Sequence, residues 1–62
     1  MDDSKHSEVI YEFVQIGNSM RVTAIDADTG TEVTIQAPAN LSHADLQRSA
    51  LKKLDYVLGK KK

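Results

Sequence analysis

The sequence predicts an α+β fold, a three-stranded antiparallel β-meander packed on one face by a single C-terminal α-helix (β-β-β-α). Three observations carry that prediction. β-branched or alternating segments fill most of the chain as far as residue 37. Two short turn sequences separate them, and a helical apolar stripe follows a lone proline. Strands in succession and then a helix make an α+β layer pair.

Residues 1–7 show no apolar periodicity and read as a disordered leader before a single domain over 8–58. Val9-Ile10-Tyr11-Glu12-Phe13-Val14-Gln15-Ile16 is β-branched and aromatic without Gly or Pro, so it reads as the first strand. Gly17-Asn18 is a two-residue hairpin loop able to take positive φ. Ser19 to Asp26 reads as the second strand. Ala27-Asp28-Thr29-Gly30 reads as a four-residue turn, with Asp26 placed to bond its amides and Gly30 as the left-handed residue. Thr31 to Ala37 alternates polar and apolar and reads as the third strand, ended by Pro38.

The two loop lengths set the register. Ile16 should face Ser19, which puts Phe13 opposite Val22, Tyr11 opposite Ala24 and Ile10 opposite Ile25. Asp26 should face Thr31, which puts Ala24 opposite Val33, Val22 opposite Ile35 and Met20 opposite Ala37. A slip of one residue in either hairpin would mix the faces. The core face is therefore Tyr11, Phe13, Met20, Val22, Ala24, Val33, Ile35 and Ala37.

Ser42 suits a helix N-cap, with Asp45 three residues on as a weaker capping box and Leu41 and Leu46 at staple positions. Leu46, Ala50, Leu51, Leu54, Val57 and Leu58 form one stripe at ~100° per residue, which should cover the core face of the sheet. Gly59 is placed as the C′ residue, and 59–62 as a basic tail.

With 62 residues the chain holds one small domain. A domain of ~60 residues buries only ~60% of its unfolded surface, so either very regular packing or self-association must supply the stability. There is no cysteine, hence no disulfide and no thiol chemistry. No apolar run approaches the ~18 residues of a membrane span, and the polar N-terminus does not read as a signal peptide.

Two features could carry function. The first is the outer sheet face, to which the register sends Ile10, Val14, Ile16 and Ile25. One helix covers one face, so these side chains are either ordinary scattered surface residues or a contact surface for a second copy or another protein. The second is charge polarity. The formal net charge of -1 conceals two basic against eight acidic side chains in residues 1–47, and six basic against one acidic in 48–62. Arg48, Lys52, Lys53, Lys60, Lys61 and Lys62 could meet a nucleic-acid phosphate or an anionic surface, or could be a solvated helix face with dipole-compatible lysines. Tyr56 is the only aromatic beside them, so base stacking has little support. Glu12 and Glu32 on the outer face argue against laying the sheet into a DNA groove.

Catalysis has little support in the residues. His6 and His43 form no spaced metal set, the serines have no adjacent base, and the glycines make no phosphate loop. Asp26-Ala27-Asp28-Thr29-Gly30 lacks the downstream glutamate of a calcium loop and reads as a turn. No cofactor is expected.

Taken together, Glu8–Val14, Gly17-Asn18, Ala24-Ile25-Asp26, Thr29–Val33 and the Ala50–Leu58 stripe resemble a family of small alphaproteobacterial proteins of unknown function. The resemblance spans residues 8–58. It implies a cytoplasmic bacterial protein and brings no catalytic or binding residues with it. The expectation is a non-enzymatic interaction module using the outer sheet face, with anion binding by the basic C-terminal helix and tail as the alternative.

Overall fold

In the computed structural model, residues 8–60 are described; the expected leader at 1–7 and Lys61 and Lys62 lie outside them. Strands β1 (Val9–Ile16), β2 (Ser19–Asp26) and β3 (Glu32–Pro38) are followed by helix α1 (His43–Lys60). The strands form one antiparallel sheet in the order β1-β2-β3.

The register is the one the loop lengths dictate. Phe13 pairs with Val22, Tyr11 with Ala24 and Ile10 with Ile25, while Val22 pairs with Ile35 and Ala24 with Val33. Gly17 has φ 61° and Asn18 does not share its positive φ, which is the pattern of a type II′ hairpin. At the second turn Gly30 has φ 76°. Its N–H donates to the Asp26 carbonyl at 2.8 Å, and the Asp26 N–H donates to the Thr31 carbonyl at 2.8 Å. The Asp26 side chain is buried and accepts the Thr29 hydroxyl at 2.8 Å. A carboxylate that closes the loop from inside is costly to desolvate unless it is hydrogen-bonded, and this hydroxyl offsets part of that cost.

β3 runs one residue later than expected, through Pro38. Backbone groups of β3 alternate between β2 and the free edge. Because Thr31 bonds β2, Pro38 falls on the outward set, where a missing N–H breaks no ladder bond.

Met20, Val22, Ala24 and Val33 of the sheet and Leu46, Ala50 and Leu54 of α1 form the buried core. Tyr11, Phe13, Ile35, Ala37, Leu51, Val57 and Leu58 pack around it, joined by Val9 and Ala39. Ser42 caps α1: its hydroxyl accepts the Asp45 N–H at 3.1 Å and its carbonyl the Leu46 N–H at 3.0 Å. The staple expected between Leu41 and Leu46 is only half realised. Leu46 is buried, whereas Leu41 is 42% exposed and Ala39 packs on the core instead.

Gly59 is not a C′ residue. It lies within α1 without positive φ, so no left-handed stop occurs there. A β-carbon at Gly59 would meet nothing within 4 Å. Gly59→Ala should therefore raise stability by about 0.5–1 kcal/mol in urea unfolding, by removing unfolded-state freedom. A C′ glycine would give the opposite sign.

Candidate functional site

α1 packs over β2 and β3. With side chains an α-helix is about 10–12 Å across, and strands lie about 4.8 Å apart, so one helix covers about two strands. The third strand, β1, is left at the margin. Its inward residues Val9, Tyr11 and Phe13 are only half-buried. The ring of Phe13 is stacked by His43, with centroids 4.4 Å apart and planes at 15°. Ser42 as N-cap puts His43 in the first helical turn, but nothing local in the sequence connects it to Phe13. That contact depends on where the helix is set across the sheet.

On the outer face Ile10, Val14 and Ile16 of β1 are 45%, 51% and 45% exposed, and Ile25 of β2 is half-buried beside Ile10. Glu12, Arg21, Thr23, Glu32, Thr34 and Gln36 fill the rest of the face, and the Thr23 and Thr34 hydroxyls touch at 3.2 Å. The four predicted face residues thus gather toward β1 rather than spreading over the sheet.

The described basic side chains of α1 divide between two flanks of the helix. Arg48 donates to the Asp45 carboxylate at 2.8 Å. That bond, and then the Ser42 hydroxyl, holds the Asp45 carboxyl below its usual range. Lys53 donates to the Thr34 carbonyl at 3.3 Å on the other flank of the helix. Lys52 and Lys53 project about 100° apart, so Arg48 and Lys52 form a strip separate from Lys53. Lys61, Lys62 and the Lys60 side chain lie outside the described residues.

Other chemistry is sparse. A shallow depression is lined by Asn18, Pro38, Ala39 and Asn40, none of them an acid or base at neutral pH. Among the described residues no three of His, Cys, Asp and Glu are grouped to hold a metal, and no helix is long and apolar enough to cross a membrane.

The two edges of the sheet differ. In β3 the outward set is Glu32, Thr34, Gln36 and Pro38. The Thr34 carbonyl takes Lys53, the Pro38 carbonyl takes the Leu41 N–H at 3.4 Å, and Pro38 has no N–H. In β1 the Glu8 carbonyl bonds the Ala27 N–H, so the outward set is Val9, Tyr11, Phe13 and Gln15. Among the described residues nothing bonds the N–H or C=O groups of those four. β1 also carries no proline or lysine, and its pairing is continuous without a bulge. These are the devices that usually blunt an edge.

Residues 6–62 match the model of a family described as a domain of unknown function (DUF6898). No curated protein and no solved structure matches the chain.

The margin of β1 has a titration signature. Burial, and then the negative charge of Asp55, raise the Tyr11 phenol above its ordinary 10.0. The folded chain then keeps a proton that the unfolded chain loses, so this contribution to stability is complete below pH 10 and falls as pH rises past it. Asp55→Asn should lower the Tyr11 midpoint in phenolate absorbance without bringing it fully back, because burial is the larger cause. A midpoint that does not move would show that Asp55 does not act on Tyr11.

Proposed function

Since the chain belongs to the DUF6898 family, whose function is unknown, we propose from its surface chemistry that it is a small non-enzymatic interaction module. Its contact surface is the outer sheet face, and self-association is the use we assign to it. The observation that carries this reading is the row Ile10, Val14 and Ile16, each about half exposed on alternate positions of one strand with Ile25 beside them. Sheet faces of this kind pack on one another at about 10 Å, with alternate residues interdigitating. Arg21 on the same face gives Glu12 and Glu32 of a facing copy an opposite charge to meet. The cytoplasmic, alphaproteobacterial setting that the resemblance implies belongs to this proposal.

Ile25→Asp tests it, because it puts a charge in the middle of the apolar patch. Light-scattering mass should fall relative to the wild type at equal concentration. An unchanged mass, with the fold intact by circular dichroism, would remove the outer face as a self-association surface.

A further inference from the structure

The geometry points to a second copy of this chain as the occupant of the free β1 edge: two β1 strands pair antiparallel about a two-fold axis through Phe13 and join two sheets into one of six strands. This deepens the reading above, resting on its claim of self-association, and names the line along which copies meet. Three observations support the edge. Val9, Tyr11, Phe13 and Gln15 present backbone donors and acceptors that nothing among the described residues takes. The opposite edge is partly blunted: Lys53 takes the Thr34 carbonyl, the Leu41 N–H takes the Pro38 carbonyl, and Pro38 has no N–H. And α1 lies over β2 and β3, leaving room for a neighbouring strand beside β1.

The side chains select the register. Outward residues must face outward residues, and only a centre on Tyr11, Glu12 or Phe13 gives three or more hydrogen-bonded pairs within the strand. Centring on Glu12 sets that carboxylate directly against its own copy at a close, non-hydrogen-bonded position, which is unfavourable. Centring on Tyr11 sets Ile10 against Glu12 and Val14 against Glu8, leaving no apolar pair on the outer face. Centring on Phe13 sets Ile10 against Ile16 and Glu12 against Val14 on the outer face and Phe13 against Phe13 on the inner face, with Tyr11 against Gln15. The pairs Tyr11–Gln15, Phe13–Phe13 and Gln15–Tyr11 each exchange two backbone bonds. The two Ile10–Ile16 pairs then extend the apolar outer surface across the axis at both ends of the seam, with Glu12 of each copy facing Val14 of the other between them.

Two proline substitutions read the register, since proline removes only the N–H of an edge residue. Gln15→Pro deletes a bond on each side of the axis and should weaken the lateral pairing about tenfold or more, lowering the sedimentation mass. Val9→Pro lies beyond the paired segment in the Phe13-centred register and should leave the mass unchanged, whereas both other registers use Val9. A readout on the wild type guards against a variant that does not fold. Glu12 Hα and Val14 Hα are about 6.7 Å apart along one extended strand, but they become close neighbours across this pairing. A strong nuclear Overhauser contact between them is expected. An Ile10–Glu12 or Ile10–Val14 contact in its place would overturn the register. A wild type of single-chain mass at about 1 mM, well above any micromolar Kd, would overturn the pairing. So would association that Gln15→Pro leaves undiminished. Ile25 lies on β2, away from this edge. If only Ile25→Asp lowers the mass, the edge pairing fails and the outer-face reading stands; if only Gln15→Pro does, the reverse holds.

Discussion

The width of a single helix governs this molecule. About 10–12 Å of helix covers about two strands at 4.8 Å spacing, and the sheet has three. Val22 and Ala24 of the middle strand are fully buried under Leu46, Ala50 and Leu54. Among the described residues no third layer covers β1. The apolar stripe of the helix, Leu46, Ala50, Leu51, Leu54, Val57 and Leu58, is already committed to the core.

Placement of the helix over β2 and β3 produces the rest of the asymmetry. On the β3 side Lys53 reaches the Thr34 carbonyl and blunts that edge. On the β1 side the helix sets His43 over Phe13 and the charge of Asp55 near Tyr11, and Val9, Tyr11 and Phe13 reach only the margin of the core. Among the described residues no helix lies on the outer face. Half-buried aromatics, an open backbone edge and a row of exposed aliphatics thus converge on one strand. Two unfinished faces and one unfinished edge on the same strand are a more economical target for one kind of contact than three unrelated defects.

The strand register was legible because side-chain alternation and loop length are both local, and they agree: Phe13–Val22 and Val22–Ile35 follow from counting. The helix stripe and the Ser42 cap were legible for the same reason. The outward isoleucines came with the register. What could not be read was set by distance along the chain. Periodicity says which side of α1 turns inward, but not which two strands lie under it. Lys53 and Thr34 are 19 residues apart, so the difference between the two edges appears only in three dimensions. Gly59 was misread because a glycine near a helix end suits either a left-handed stop or a last helical turn, and local sequence does not separate them.

The central claim is that β1 is completed by another chain. Amide hydrogen exchange along β1 tests it most directly, since Ile10, Glu12 and Val14 bond β2 within the chain while Tyr11, Phe13 and Gln15 point outward. The account predicts that the Tyr11, Phe13 and Gln15 amides are protected at high chain concentration and lose that protection on dilution, while the inward set keeps its own. Fast exchange of the outward amides at every concentration would contradict it.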